Sequence, residues 1–354
     1  MKNKIFTILF VVYIFSFSLF GIFLKKEEIS ISERRKLKTF PEYSFTSNYI
    51  NDVDKYFLDH FPLRDEFRTI KANFNYHVFQ MLDNNGIYLK DNFIFKSEYP
   101  TNEKSISNFV KTIDNTISHF SPNNKVYVMI IPDKNYYLND GNFLQIDYDY
   151  LYQEVYSLDA QMVDIRNTME LEDYYETDTH WRQEKILKVV NQMSYTMDFE
   201  LSNETYQKNV YPNFYGVYYG ESAMKRNPDE LIYFTSKSIK EAKVYYMENK
   251  ELSTVYNPDN LTQLDSYDVF LDGASAYIEI YNENSNSEKE LVIFRDSFGS
   301  SIAPLLIESY KKITLIDNRY IRSEDYLKSI SFTDQDVLFL YSTLIVNNSF
   351  TLKG

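Results

Sequence analysis

Cysteine is absent from this chain of 354 residues. The absence excludes a disulfide framework, thiolate catalysis and metal sites with cysteine ligands. Histidine and tryptophan are scarce, at four residues and one residue respectively. The sequence also lacks a Gly-rich phosphate loop and a dinucleotide-binding fingerprint. It therefore predicts neither a cofactor nor a metal site.

Beyond residue 38, acidic residues strongly outnumber basic ones. The net charge is -14, with +5 on residues 1–38 and -19 on the remainder. So acidic a protein argues against nucleic acid as a partner. The basic N-terminal segment can instead lie against anionic lipid headgroups. Aromatic residues make up 17% of the chain, which we attribute to compositional bias rather than to sugar-stacking surfaces.

Residues 5–24 contain no charged side chain. A helix of this length spans about 30 Å, the thickness of the hydrocarbon core of a bilayer. A cleaved signal peptide, which is the alternative, would have a shorter apolar core and a cleavage site with small residues. No such site lies near Leu24, and Lys25 and Lys26 follow the apolar run. The sequence thus predicts an uncleaved transmembrane helix that anchors the chain, with its basic flanks, over residues 1–26.

The rest of the chain is predicted to consist of a linker and one domain. Residues 27–60 are interpreted as a juxtamembrane linker with a first helix, and residues 61–354 as an α/β domain. Lys125–Ile131 is an almost continuous apolar run, which is typical of a strand buried on both faces. Residues 200–260 are rich in Tyr and Asn and give no clear order of elements.

Strand and helix patterns alternate from residue 290 onward. Such alternation predicts right-handed strand–helix–strand units and therefore a parallel sheet. We expect a parallel sheet flanked by helices. Its elements are predicted as a strand at 290–295, a helix at about 300–311, a strand at 313–316, a helix near 323–330 and a strand at 337–341.

The strand that is predicted to end at Arg295 leads directly into Asp296-Ser297-Phe298-Gly299. A sharp strand-to-helix turn at a serine lifts the hydroxyl to the carboxyl edge of a parallel sheet. Backbone N–H groups at such a turn can stabilise a developing oxyanion. The alternative is an ordinary turn or a helix cap. The motif therefore indicates catalysis only if a base and its orienting group exist elsewhere.

His180 is the histidine best placed to be that base. It lies in Asp178-Thr179-His180-Trp181, just before a predicted helix. A carboxylate two residues earlier can accept the Nδ1 proton of the imidazole, which leaves Nε2 free to take a proton from a serine. Trp181, the only tryptophan, would form a wall of the site. The alternative is an aspartate N-cap beside an incidental histidine, and the other histidines are interpreted as structural: His60, His77 and His119.

Two motifs, Asp178-Thr179-His180-Trp181 and Arg295-Asp296-Ser297-Phe298, together resemble those of the DHHW proteins of Gram-positive bacteria. These proteins are similar to the alginate O-acetylation proteins, whose fold is SGNH-hydrolase-like. The resemblance spans nearly the whole chain. It also includes the N-terminal anchor, Ser32–Leu37, Asp59–Arg64, Asn85–Leu89, Tyr267–Gly273, Asp317–Tyr320 and Asp336–Asn348.

The resemblance implies a serine enzyme with Ser297 as nucleophile, His180 as base and Asp178 as the residue that orients the base. Its Asp-x-His motif precedes the serine, a circularly permuted order relative to ordinary SGNH esterases, and the chemistry depends on geometry rather than on chain order. The implied reaction passes an acetyl group through the serine to a cell-surface polysaccharide. The resemblance further implies an exported domain on the cell membrane, with a membrane-bound O-acyltransferase as partner.

Four further residues are candidates for contacts with the substrate or the oxyanion: Gly273, Arg295, Tyr341 and Trp181. Gly273 could supply a backbone N–H. Arg295 could bind an anionic substrate, although pairing with a neighbouring carboxylate is its more common role. Tyr341, at the end of a predicted parallel strand, could face the site or pack in the core.

Two positions depart from the pattern of the family. The family usually has a second histidine where this chain has Thr179, and Asp or Asn where it has Ala274. An incomplete oxyanion hole would leave the backbone N–H groups of Ser297 and of Gly273 as donors. These departures keep open a catalytically inactive wall- or polysaccharide-binding protein. A polysaccharide acetylesterase is the other alternative, because it needs the same three residues.

Overall fold

The computed structural model describes residues 2–23, 27–30, 33–138, 141–201, 203–247 and 252–353. The chain folds into two compact units. The first comprises Met1–Ile87 and Val217–Arg226, and the second comprises Tyr88–Gly216 and Asn227–Gly354. The predicted domain limits after residues 26 and 60 fall inside the first unit and stay a prediction.

The regular elements of the described residues are numbered in chain order. The α-helices are α1 (Lys2–Phe23), α2 (Ser47–Asp59), α3 (Arg64–Asn73), α4 (Glu103–Ile117), α5 (Tyr148–Val155), α6 (Leu187–Met197), α7 (Val217–Ser222), α8 (Lys237–Glu241), α9 (Phe298–Ile302), α10 (Ser323–Tyr326) and α11 (Thr343–Val346). The strands are β1 (Ile29–Ser30), β2 (Arg35–Lys36), β3 (Asp83–Asn84), β4 (Ile87–Lys90), β5 (Phe93–Lys96), β6 (Lys125–Ile131), β7 (Gln161–Met162), β8 (Gln207–Phe214), β9 (Asp229–Thr235), β10 (Lys243–Tyr246), β11 (Leu252–Ser253), β12 (Tyr277–Tyr281), β13 (Glu290–Arg295), β14 (Lys312–Ile316) and β15 (Asp336–Ser342).

Helix α1 covers most of the segment that was predicted to be a membrane anchor. Leu24, Lys25 and Lys26, at the end of that segment, lie outside the described residues, as does Ser32. Among the residues that are described, no helix combines the length and apolar character that crossing a bilayer requires. The transmembrane helix therefore has no support from the structure and stays a prediction.

The second unit is built on an eight-stranded sheet with the order β11-β10-β12-β14-β13-β15-β6-β7. The strands from β14 to β7 in this order are parallel to one another, so the predicted parallel sheet is confirmed for this part. Strands β12, β10 and β11 extend the sheet through antiparallel pairs. Strand β15 comes latest along the chain among these eight, yet it lies between β13 and β6.

The parallel strands have the order of a doubly wound fold. If β13, β14, β15, β6 and β7 are numbered 1 to 5, the five parallel strands lie across the sheet in the order 2-1-3-4-5. In such sheets, ligands bind beyond the carboxyl ends of the strands where this order reverses. The reversal falls between β13 and β15, and Ser297 lies two residues after β13 ends. The topology therefore places Ser297 at the edge where a ligand site is expected.

Successive residues of β13 are buried on opposite faces of the sheet. Leu291 and Ile293 pack in the larger core on one face, whereas Val292 and Phe294 pack in the core on the other. A strand that is covered on both faces needs an apolar side chain at every position. This requirement explains the continuous apolar runs of β13 and of β6, which has the predicted limits of 125 and 131.

The helix that follows Ser297 is shorter than the predicted helix at 300–311. Helix α9 ends at Ile302, and a 3₁₀ turn continues from Ala303 to Leu306. The cause is Pro304, which has no N–H to donate to the carbonyl of Ser300 and so cannot continue the α-helical hydrogen bonds. The apolar spacing of this segment did not reveal the interruption.

The described part of residues 200–260, for which no order of elements was predicted, also contains regular structure. Strands β8 and β9 form an antiparallel ribbon, and β10 and β11 join the main sheet. These pairings connect segments that are distant in sequence, and the Tyr- and Asn-rich composition gives little periodicity from which to predict them. Strand β7, at one edge of the main sheet, has only two residues.

Candidate active site

Ser297 lies in a tight turn between β13 and α9, and Asp296 fixes this turn. One carboxylate oxygen of Asp296 accepts a hydrogen bond from the backbone N–H of Phe298 at 3.0 Å. The other accepts from the backbone N–H and the hydroxyl of Ser342, at 2.8 and 2.7 Å. Asp296 thus caps the start of α9 and also ties the turn to the end of β15.

Gly299 is required in this turn because space is lacking, not because the backbone needs a positive φ. A Cβ atom added at Gly299 would lie 2.7 Å from Cβ of Arg295 and 3.0 Å from its Cγ. Both distances are shorter than ordinary van der Waals contact. The absent side chain lets α9 fold back against the end of β13, which sets the direction in which Ser297 projects.

The structure brings Ser297 and His180 into direct contact, although 117 positions separate them in the sequence. The Nε2 atom of His180 lies 2.7 Å from Oγ of Ser297. The Nδ1 atom of the same ring lies 2.6 Å from Oδ1 of Asp178, which also accepts from the backbone N–H of His180 at 3.0 Å. These distances allow a proton to pass from serine to imidazole while the aspartate holds the ring.

A second carboxylate, that of Asp229 in β9, holds the loop that carries Asp178. It accepts hydrogen bonds from the backbone N–H groups of Glu176 and Thr177, at 2.8 and 2.9 Å, and from the Thr177 hydroxyl at 2.6 Å. Gly216 packs so close that an added Cβ would lie 2.3 Å from the Thr177 carbonyl oxygen and from Cβ of Asp178. The position of Asp178 therefore depends on segments that the local motif does not contain.

Lys134 is a buried cation on the other side of this loop. Its ammonium donates to the carbonyl oxygens of Tyr175 at 3.1 Å and Glu176 at 3.3 Å. Burial lowers the pKa of Lys134 to about 7, although nearby carboxylates, first among them Asp178, favour the charged form. The folded protein therefore gives up the Lys134 proton at a lower pH than the unfolded chain does.

We expect Lys134 to make the stability of the protein depend on pH. Because its pKa is about 7 when folded and near 10.5 in an unperturbed lysine, the unfolded state binds more protons between these values. The free energy of unfolding should therefore rise with pH there, by at most about 1.4 kcal/mol per pH unit from this group. Urea titrations, followed by tryptophan fluorescence between about pH 7 and pH 9, would measure this slope.

The Lys134→Met variant is the control, because methionine keeps much of the side-chain volume and cannot titrate. Its loss of the two hydrogen bonds should lower the stability at every pH, and the part of the slope due to residue 134 should vanish. If the free energy of unfolding rose with pH by the same slope in Lys134→Met and in the unchanged protein, a lowered pKa at Lys134 would be contradicted.

Tyr267 contacts the imidazole, a role that no local pattern in the sequence indicated. Its ring stacks on that of His180, with centroids 3.8 Å apart and planes 9° apart. Its hydroxyl donates to Oγ of Ser301 at 2.8 Å, and burial raises the pKa of Tyr267 well above its usual range, so the phenol stays neutral. Ser301 also accepts from Nε1 of Trp181 at 2.7 Å. Tyr267 and Trp181 are thus fixed to α9, the helix that follows the candidate nucleophile.

Two of the further candidate residues, Arg295 and Tyr341, lie in the interior of the second unit. Nη1 of Arg295 lies 3.1 Å from Oγ of Ser300 and 3.9 Å from Oδ2 of Asp317. Burial lowers the pKa of Arg295, and Asp317 counteracts this effect. Tyr341 is fully buried, and its ring meets that of Phe109 edge to face at 5.5 Å. These contacts favour the structural roles that the sequence left open for both residues.

The two backbone N–H groups that were considered as oxyanion donors, those of Gly273 and Ser297, differ in availability. Gly273 has a φ of +79° and donates its N–H to the carbonyl of Phe270 at 3.2 Å, within its own turn. The N–H of Ser297 has no acceptor among the described residues. Of the two donors considered from the sequence, Ser297 is therefore the better placed to bind an oxyanion.

Trp181 is completely buried and packs edge to face on Phe298, with ring centroids 5.4 Å apart.

The arrangement as a whole is that of a serine–histidine–aspartate site at the carboxyl edge of an α/β sheet. The hydroxyl has a base within hydrogen-bond distance, and the base has a carboxylate on its other nitrogen. Ser297 is partly exposed, so an ester could reach its oxygen. Such a set of groups can form and break an acyl-serine bond.

Solved structures share this fold. A DHHW family protein from Eubacterium siraeum superposes with a TM-score of 0.61 and 20% identity, over 76% of this chain and 94% of that chain. Bacillus cereus PatB1, in a structure with a sulfonyl adduct, gives a TM-score of 0.59 and 19% identity, over 73% of this chain and 95% of that chain. The resemblance to DHHW proteins that the motifs predicted is confirmed at the level of the fold.

The O-acetyltransferase domain of Pseudomonas putida AlgJ is also similar, with a TM-score of 0.44 and 13% identity over 75% of this chain and 93% of that chain. This likeness is too weak to support a conclusion. No family model matches the sequence. No curated protein matches it either.

Proposed function

We propose that this protein is a serine acyl-ester enzyme of the SGNH type that transfers acetyl groups to a cell-surface polysaccharide. The observation that carries the proposal is the contact of 2.7 Å between Nε2 of His180 and Oγ of Ser297, completed by Asp178 on Nδ1. The shared fold with a DHHW family protein supports it, and we propose membership of that family. The same site would serve an acetylesterase if water replaced the sugar as acceptor.

The proposed reaction has two halves. Nε2 of His180 takes the proton of Ser297 as Oγ attacks the carbonyl carbon of an acetyl ester, and the backbone N–H of Ser297 donates to the oxyanion. The tetrahedral species expels the donor alcohol, which receives the proton from His180, and acetyl-serine remains. A sugar hydroxyl then attacks this ester while His180 accepts its proton. Collapse releases the acetylated sugar and returns the proton to Ser297.

The proposed setting is the outer side of the cell membrane, where the chain would be held by its N-terminal segment. The apolar run at residues 5–24 supports attachment, and the family resemblance supports the exported side. A membrane-bound O-acyltransferase as partner and source of acetyl groups rests on that resemblance alone. An inactive polysaccharide-binding protein remains the alternative from a different class.

Product analysis distinguishes these functions. The purified protein should cleave an activated acetyl ester and carry the acetyl group on the peptide that contains Ser297, as measured by mass spectrometry. With a cell-wall oligosaccharide present, a transferase should yield the O-acetylated sugar and release less free acetate. An esterase should release acetate alone, at the same rate with or without the sugar.

A protein that binds the oligosaccharide but forms neither acetyl-serine nor acetate would contradict the enzymatic proposal. Heat-denatured protein at the same concentration is the control for spontaneous acetylation of surface hydroxyls. The reaction without sugar tests the formation of acetyl-serine separately from transfer to the acceptor, because acetyl-serine can form without any sugar.

A further inference from the structure

The first unit contains an exposed apolar stripe that the proposed chemistry does not use. Apolar residues recur at spacings of three and four from Leu63, which directly precedes α3, through α3 and the π-helical turn that continues it: Leu63, Phe67, Ile70, Phe74 and Val78. Side chains at these spacings lie on one face of a helix. All five are between 40% and 60% exposed. We call these five residues the apolar stripe.

Helix α2 adds further apolar surface next to the apolar stripe. Ile50, Phe57 and Leu58 are each at least 60% exposed. Phe61 follows the helix, and its ring lies 5.8 Å from that of Phe67 in the stripe. The segment between the two helices therefore adds an apolar ring directly to the stripe. Contiguous apolar surface on this scale normally marks a surface that binds a protein or a membrane.

The distribution of charge points to the kind of partner. The first unit contains 14 Lys and Arg and 11 Asp and Glu, so it carries +3, whereas the second unit carries -17. Arg64, Arg68 and Lys71 each follow a stripe position by one residue, so they line one side of the stripe. Glu33 pairs with both arginines, at 2.8 and 3.4 Å, while Lys71 is exposed.

We propose that the apolar stripe lies flat in the surface of an anionic lipid bilayer. An interfacial helix has apolar residues such as Phe and Leu on one face and Lys or Arg beside them, as this helix has. The stripe extends over about 22 Å, at about 1.5 Å per residue, so it can lie along the membrane plane over its whole length. The strongly acidic second unit would be repelled by the same lipids, which sets the first unit as the membrane-facing part.

Helix α1, in the same unit, supports a lipid rather than a protein as the occupant. Its described side chains include Phe6, Ile8, Leu9 and Phe10, each more than half exposed. A second exposed apolar helix in one unit is consistent with a common apolar medium. The proposal holds whether α1 spans the bilayer or only attaches to it, and it does not depend on catalysis at Ser297.

The absence of cysteine makes the test direct, because one introduced cysteine is the only site for a thiol-specific nitroxide label. Ile70→Cys places the label in the apolar stripe. Asp65→Cys is the matched control, since Asp65 lies on the same helix, about 140° around its axis from Ile70, and is also exposed. The full chain is reconstituted into vesicles of phosphatidylcholine and phosphatidylglycerol, and label accessibility to oxygen and to a water-soluble nickel chelate is measured.

The proposal predicts that the oxygen-to-nickel accessibility ratio is several-fold higher at position 70 than at 65. The difference should shrink in vesicles of phosphatidylcholine alone and vanish when the protein is in solution with a non-ionic detergent below its micelle concentration. Circular dichroism and thermal unfolding of both labelled proteins check that they are folded.

Three results would overturn it. Equal ratios at the two positions would mean that the stripe faces water. Spin–spin broadening at position 70 that grows with the protein-to-lipid ratio would mean that a second copy of the chain covers it. Low accessibility to both reagents, independent of vesicles, would mean that protein covers the stripe.

Discussion

Replacement of Ser297 by alanine should abolish both acyl-enzyme formation and ester turnover. Without Oγ, the imidazole of His180 has no hydroxyl to deprotonate at 2.7 Å, and no acyl-serine can form. We expect the turnover of an activated acetyl ester to fall by roughly 10⁴- to 10⁶-fold, towards the level that binding and the oxyanion donor provide alone. Steady-state hydrolysis measured beside labelling with a sulfonyl fluoride would show both losses.

A sulfonyl fluoride reports on the nucleophile because it reacts covalently with an activated serine hydroxyl. Ser300→Ala is the matched control, because Ser300 lies in the same turn, yet its hydroxyl lies beside Nη1 of Arg295 instead of the imidazole. It should keep its labelling and lose some thermal stability, since a buried guanidinium is left without that partner. Labelling that persists in Ser297→Ala would exclude Ser297 as the nucleophile.

Replacement of Asp178 by asparagine should have the second largest effect. The carboxylate accepts the Nδ1 proton of His180 at 2.6 Å, which keeps Nε2 unprotonated and stabilises the imidazolium that forms during the reaction. An amide carries no charge, and its NH₂ group can favour the wrong tautomer. We therefore expect kcat to fall by roughly 10⁴-fold with little change in the fold.

The pH–rate profile of Asp178→Asn, compared with its thermal stability, would separate lost chemistry from lost structure. Glu176→Gln is the matched control, because it removes a carboxylate two residues from Asp178, whereas the partners of the two imidazole nitrogens are Asp178 and Ser297. It should retain turnover close to that of the unchanged protein. If Asp178→Asn matched it, the proposed role of Asp178 would be wrong.

The three residues of the candidate site could be predicted because each lies in a short local pattern. Asp-x-His needs only two peptide units to place a carboxylate beside Nδ1, and the structure shows this contact. Ser297 follows an apolar strand and precedes Gly299, whose missing side chain the turn requires. Patterns of this length contain the physical cause of the geometry, so the sequence reveals them.

The support around these residues could not be predicted, because it comes from distant segments. Asp229 binds the loop before His180 from 52 positions away, and Tyr267 stacks on the imidazole from a 3₁₀ turn. Nothing in the spacing of either residue distinguishes it from an ordinary core or turn residue. Packing and backbone donors that become available only after folding decide both contacts.

The elements of the fold also divide into those that a local pattern predicts and those that depend on distant segments. Strands β6 and β13 are apolar at successive positions, which is a local signal of burial on both faces. The antiparallel extension by β10, β11 and β12 is instead a matter of which edge of the sheet is free. The length of α9 depended on one residue, Pro304, within a segment whose apolar spacing otherwise fits a longer helix.

The central place of β15 has a consequence for chains that are cut short. Strand β15 comes last along the chain among the eight strands of the main sheet, and it lies between β13 and β6. Ser342, at its end, donates its backbone N–H and its hydroxyl to Asp296 in the turn that carries Ser297. A chain that ends before residue 336 therefore lacks both the strand that joins β13 to β6 and the anchor of this turn. We expect such truncated chains to be inactive, because the last strand of the sheet to be synthesised completes the support of the nucleophile.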